Sequence, residues 1–118
     1  MINLPHDHGT NTATMLASIP DKDTFEKVSS TFQLISDPTR LKILWLLCHS
    51  EECVINIAAA IDMSSPAVAH HLRLLKQAGL LVSRKDGKET HYTLASTAEA
   101  CLVHDIVDKV FDINCKGE

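Results

Sequence analysis

The sequence predicts a mainly α-helical fold with one small β-hairpin, arranged as a winged helix-turn-helix. Three observations carry that prediction. Ser64 to Leu94 reads as a helix, a glycine stop and a hairpin with a basic tip. A short apolar helix precedes it across the tight turn Asp62-Met63, the spacing of a helix-turn-helix. Positive charge is concentrated in that same stretch, although the chain as a whole has net charge −4.

Residues 1–20 read as an N-terminal tail, and residues 21–118 as a single DNA-binding and dimerisation domain. Within the tail, Thr12 to Ser18 is a candidate short helix stopped by Pro20. His6-Asp7-His8 has two readings: a solvated polar tail, or a metal-ligand arm, since imidazole and carboxylate suit zinc, nickel or cobalt. Asp23 with Glu26 three residues on forms a capping box that opens the first long helix, with Phe25, Val28, Phe32 and Ile35 as its apolar stripe. That stripe serves either the core or a dimer interface.

Asp37-Pro38 restarts the chain as N-cap and first helical residue. Leu41, Leu44, Trp45 and Cys48 come next at helical spacing and are expected inside, with Cys48 as a small buried hydrophobe. Arg40 and Lys42 at the helix start face phosphate or, more simply, a neighbouring acid. Glu52 to Ile61 is expected as the next helix, with Val54, Ile57, Ala58 and Ile61 inward.

Ser64 is a capping residue type, and Pro66 fits the first turn of the next helix. Val68, Leu72, Leu75 and Ala78 mark its buried stripe, and Gly79 is placed to end it in the left-handed conformation. Ser64, Ser65, Ala67, His70 and His71 lie off that stripe. Ser and His can bond base edges or phosphates, and Ala67 can touch a thymine methyl; the plain alternative is a solvated helix face. Leu80 to Lys85 and Glu89 to Leu94 are strand-like around the Asp86-Gly87 turn signal. Arg73 on the helix and Arg84, Lys85, Lys88 and His91 in the hairpin are candidate phosphate contacts.

Ser96 and Glu99 form a second capping box, opening a helix to about Asn114. Leu102, Ile106, Val110 and Ile113 make one apolar row, with Val103, Val107 and Phe111 beside it. A helix this apolar needs a partner, and its twin in a dimer is the natural one. On another face, Cys101, His104, Asp108, Asp112 and Cys115 cluster within about 80° at 100° per residue. That face is either an outer charged surface with incidental thiols or a metal site.

At 118 residues the chain is one domain, burying roughly two thirds of its unfolded surface. From Ser64 to His91 there are five basic residues against two acidic ones. Residues 1–63 hold four against eight, and residues 92–118 two against five. No apolar run approaches the ~20 residues of a membrane span and no signal peptide is read, so a cytoplasmic location is expected. The four cysteines (Cys48, Cys53, Cys101, Cys115) contain no CxxC pair and are expected as reduced thiols, metal ligands or redox sensors. No Gly-rich phosphate loop, nucleophile elbow or HExxH is present, so an enzyme is not expected.

Taken together, DPTRLKILWLL (Asp37 to Leu47), EECVINIAAAI (Glu51 to Ile61), SSPAVAHHLRLLKQAGLL (Ser64 to Leu81) and RKDGKETHYTL (Arg84 to Leu94) resemble the ArsR/SmtB family of bacterial metal- and stress-responsive repressors. The resemblance covers nearly the whole chain after Thr24. It implies a homodimer through the first and last helices, bound to a near-palindromic operator and released by a ligand. Many members carry ELCVCDL before the reading helix. Here Cys53 matches the first thiol and Ile55 stands in place of the second, so an arsenic- or cadmium-type site would need donors such as His6 or His8. The last-helix zinc pattern of other members falls here on Ser96, Ala98, Lys109 and Asp112, which is not that site. A shifted version is carried by His104 and Cys115, and His104, Asp108 and Cys115, with Asp112 and Cys101 behind them, are the candidate ligands for zinc, cobalt, nickel or cadmium.

Three functions are therefore weighed. The first is a repressor released from double-stranded operator DNA by a transition-metal ion. The second is a thiol-redox or reactive-sulfur-responsive repressor of the same fold. The third is a protein-interaction winged helix that does not bind DNA. No organic cofactor is expected.

Overall fold

The computed structural model describes residues 3–111, and the chain divides after Ser30 into two compact units. In the first, α1 (Thr12–Leu16) is a single exposed turn of helix without a side-chain cap. The start of α2 (Lys22–Ile35) also falls there. Asp21, rather than Asp23, caps α2: its Oδ1 accepts the Thr24 N–H at 2.8 Å, and its carbonyl accepts the Phe25 N–H at 3.2 Å. The helix begins earlier than the capping-box pattern suggests, because Asp21 already supplies the acceptor. Along α2, Phe25, Val28 and Phe32 are exposed and Ile35 alone is buried.

The second unit is built on α3 (Pro38–Cys48), β1 (Glu52–Cys53), α4 (Val54–Ile61), α5 (Ser65–Gln77), β2 (Leu81–Asp86), β3 (Glu89–Leu94) and α6 (Ala98–Val110). Asp37 caps α3 by accepting the Arg40 N–H at 3.0 Å, with Pro38 in the first turn. The buried row of α3 is Ile43, Leu44 and Leu47. It is rotated from the expected one: Leu41 and Cys48 are half-buried and Trp45 is exposed. This helix is apolar on nearly every side, so periodicity alone does not fix which row faces inward. Leu41, Trp45 and Phe111 instead line an open apolar groove with Pro38, Leu46 and Ile61.

Glu52 and Cys53 are strand, not helix. They pair antiparallel with β3, Glu52 opposite Tyr92 and Cys53 opposite His91. Extended Cys53 then precedes the first turn of α4. Tertiary strand pairing outweighs local propensity here. The sheet order is β1-β3-β2. In the hairpin Leu81 faces Leu94 and Asp86 faces Glu89, so the two-residue loop is Gly87-Lys88, one position later than Asp86-Gly87. Gly87 at φ +65° fits the primed turn such a loop requires.

Val68, Leu72 and Leu75 of α5 are fully buried and pack with Ile43, Leu44, Ile57, Leu80, Val103 and Val107 in one core. Ala78 is exposed, outside the stripe expected for it. Gly79 at φ +80° closes α5: its N–H reaches the Lys76 carbonyl and the Leu80 N–H the Leu75 carbonyl, both at 3.0 Å. Thr97, not Ser96, caps α6, accepting the Ala100 N–H at 3.1 Å and donating to the Gly79 carbonyl at 2.7 Å. Both apolar rows of α6 are split: Ala100, Val103 and Val107 are buried and Ile106 packs against the core, whereas Leu102, Val110 and Phe111 are exposed. No helix among the described residues is long and apolar enough to cross a membrane.

Candidate nucleic-acid interface and metal centre

The turn between α4 and α5 closes on Asp62, whose φ of +57° is left-handed. The Met63 N–H reaches the Ala58 carbonyl at 3.0 Å, so the turn is tied back to α4. Ser64 then opens α5 by accepting the Ala67 N–H at 3.3 Å. Its oxygen is thus engaged within the helix start, with the hydroxyl proton left to donate outward. Pro66, His70, Arg73 and Gln77 repeat along one exposed face of α5, opposite the buried row. Arg73 and His70 lie 3.1 Å apart on it, from guanidinium nitrogen to Nδ1. Ser65 and Ala67 flank this face half-buried. Pro66 and Gln77 are members of the face that residue chemistry alone does not pick out, although their spacing from His70 and Arg73 marks them.

His71 does not share that face. It is half-buried and accepts a hydrogen bond at its Nδ1 from Arg40 Nε at 3.2 Å, while the Arg40 guanidinium also donates to the Leu34 carbonyl at 3.1 Å. Through its bond to Arg40, His71 joins α5 to α3. Arg40 meets a histidine and a carbonyl, and its charge also acts on the neighbouring Asp37 carboxylate, which it helps hold below the usual aspartate range.

Strand alternation splits the hairpin's charges between two faces. Leu81, Ser83 and Lys85 lie on one face with Thr90, Tyr92 and Leu94, and Tyr92 and Leu94 pack against the core. Lys76 of α5 donates to Ser83 Oγ at 2.7 Å on that side. Arg84 lies on the other face beside its cross-strand neighbour His91. There Arg84 grips the Glu51 carboxylate through Nε at 3.0 Å and a terminal nitrogen at 2.6 Å. His91 lies 3.1 Å from Glu89. The Arg84 guanidinium holds the Glu51 carboxyl below the usual glutamate range, and Glu51 in turn raises the Arg84 pKa. Lys85 and Lys88 form no ion pair among the described residues and are exposed, so the uncommitted cations of the hairpin sit at its tip.

The second constellation lies at the other end of α3. His49 terminates that helix, and His104 and Asp108 stand one turn apart on α6. One ligand atom from each falls within 4.8 Å of the other two. His49 Nε2 is 3.7 Å from Asp108 Oδ1, and His104 Nδ1 is 3.8 Å from Asp108 Oδ2. Sequence reasoning misses His49, since it is 55 positions from His104 and no motif joins them. Cys101 is exposed and does not belong to the group. Asp112 and Cys115 lie outside the described residues. Cys53 is 5% exposed and lies outside the His49, His104 and Asp108 group. His6 and His8 stack with ring centroids 5.9 Å apart, and among the described residues no third ligand joins them.

A short helix-turn-helix, a hairpin against its second helix and exposed basic side chains on both define the class of winged-helix proteins that present a helix to duplex DNA. Comparison with known proteins narrows the class. Residues 37–83 match the family model described as bacterial regulatory protein, ArsR family. The chain is 45% identical over 65 residues to the arsenical resistance operon repressor of Escherichia coli K12, an alignment covering 54% of this chain and 56% of that one. It is 33% identical over 91 residues to the transcriptional repressor SdpR of Bacillus subtilis 168, covering 77% of this chain and 97% of SdpR. Its fold is similar, at TM-score 0.64 and 25% identity, to the homodimeric winged helix-turn-helix DNA-binding domain of a possible ArsR-family regulator from Mycobacterium bovis, covering 90% of this chain and 91% of that one. The chain belongs to the ArsR family of bacterial regulatory proteins.

Proposed function

We propose that this chain is a homodimeric transcriptional repressor that binds double-stranded operator DNA through α5 and the hairpin, and that a transition-metal ion releases it. The observation that carries the reading is the exposed face of α5. His70 and Arg73 on it, with Ser65 and Ala67 beside them, offer donors and a methyl to base edges. Lys85 and Lys88 at the hairpin tip are the phosphate contacts. Arg84 serves the hairpin's root through Glu51. The outer row of α6 and the exposed stripe of α2 are the dimer surfaces. Relatives named as arsenical and cadmium resistance regulators support a metal effector, and His104 with Asp108 offers two suitable ligands on α6.

Fluorescence anisotropy of the reduced, metal-free protein on its own promoter DNA tests this, with zinc, cadmium, nickel and cobalt then added singly. Salt-dependent binding and release by one metal at near-stoichiometric dose are expected. Lys88→Ala should weaken all duplexes alike and reduce the slope of log K against log salt by about two, one phosphate contact from each subunit. Absence of duplex binding overturns the repressor reading, and binding that ignores every metal overturns the effector.

A further inference from the structure

We propose that His49, His104 and Asp108 form a thiol-free binding site for one divalent transition-metal ion per chain, joining the end of α3 to α6. The ligand types are right: two neutral imidazoles and a carboxylate are the three protein ligands of an open tetrahedral zinc-type site, with water as the fourth. The geometry is close to assembled. An ion with bonds of about 2.0–2.1 Å sets tetrahedral ligand atoms about 3.3–3.4 Å apart; here one ligand atom from each residue lies within 4.8 Å of the other two, and the imidazoles stand 3.7 and 3.8 Å from the two different oxygens of Asp108. Side-chain rotations that close up to about 1.5 Å bring the three onto one ion. The side chains are 27–34% exposed, open enough for an ion to enter. His49 also caps the C-terminus of α3, where the negative end of the helix dipole favours a cation.

The site has a mechanical consequence because His49 leads directly into the root of the hairpin. The Ser50 carbonyl accepts a hydrogen bond from Thr93 of β3 at 3.3 Å, and Glu51 grips Arg84 of β2. Drawing His49 toward α6 therefore acts on that root within two residues. Metal at this position biases the hairpin relative to α5 with no ligand in the hairpin itself. This gives the effector of the repressor reading its place, and its regulatory role rests on that reading; the binding of the ion does not.

The test is cobalt(II) titration of the reduced, metal-stripped full chain without DNA, monitored by visible and near-ultraviolet absorption. We expect saturation at one cobalt per chain, with ligand-field bands of low coordination number and no thiolate charge-transfer band. His49→Ala and Asp108→Ala should each abolish those bands. Cys101→Ser and Cys115→Ser should keep them. Circular dichroism of the metal-free variants checks folding; if His49→Ala does not fold, His49→Gln replaces it with the same expectation. A thiolate band, bands that survive both the His49 and Asp108 substitutions, or no cobalt binding overturns the site. The anisotropy experiment above fails or succeeds separately, so a false repressor reading leaves the cobalt result standing.

Discussion

Single side chains here divide between holding the hairpin and presenting uncommitted charge at its tip. Arg84 is the clearest case. As one of the basic residues near the hairpin tip it reads as a phosphate contact, yet its guanidinium is spent on Glu51, 33 residues earlier. The pair is a surface one, and its worth in solution is modest, but its pH dependence has a definite sign. Glu51 is held below its ordinary range chiefly by the hydrogen bond from Arg84. A carboxyl with a depressed folded-state pKa adds stability above its unfolded value and loses it as pH falls through the folded one. The hairpin root should therefore loosen on the acid side of the usual glutamate range. Thermal melts across that window should show Glu51→Gln less stable than the wild type near neutrality, with the two converging in acid. A gap that stays constant with pH would show that the carboxylate's charge plays no part.

At the scale of elements, the joint between α5, the hairpin and α6 rests on Thr97. Its hydroxyl accepts from the Ala100 N–H and donates to the Gly79 carbonyl, so one side chain caps α6 and ties it to the end of α5. Thr97→Val keeps the shape and removes both bonds. A loss of about 1–2 kcal/mol, a capping interaction with a hydrogen bond, is expected in urea unfolding; no loss would mean that water replaces both. The reading helix is legible in the sequence, because its cap, most of its buried row and its glycine stop are local signals that agree. The hairpin is legible for the same reason, to within one residue at its loop. What escapes is non-local. Glu52 and Cys53 become strand because β3 lies beside them, Thr97 displaces Ser96 because the Gly79 carbonyl is within its reach, and His71 turns inward to meet Arg40. His104 and Asp108 are visible as a pair one turn apart, but His49 enters their group only through the packing of α3 on α6.

For the molecule as a whole, the decisive feature is apolar surface that one chain does not cover. The inner row of α6 fills the core, while the outer row of Leu102 and Val110 faces outward with Phe111 beyond the helix end. Large apolar side chains exposed in this way are expected to meet another protein surface, and a second copy of α6 offers the same group. The net charge gives the proposed dimer a further role. A negative chain must gather enough local positive charge to hold a duplex, and two copies double the cations of α5 and the hairpin tip while fixing half-site spacing. Val110→Asp separates the core role of α6 from the proposed dimer role. Val110 is 71% exposed, so the single-chain core loses almost nothing and the circular dichroism spectrum should not change. An aspartate facing its twin should break the dimer, which light scattering after size exclusion reads directly. Operator affinity should then fall steeply and its salt dependence drop toward half, as one set of phosphate contacts is lost. A variant that stays dimeric and binds the operator at wild-type strength would place the dimer surface elsewhere than α6.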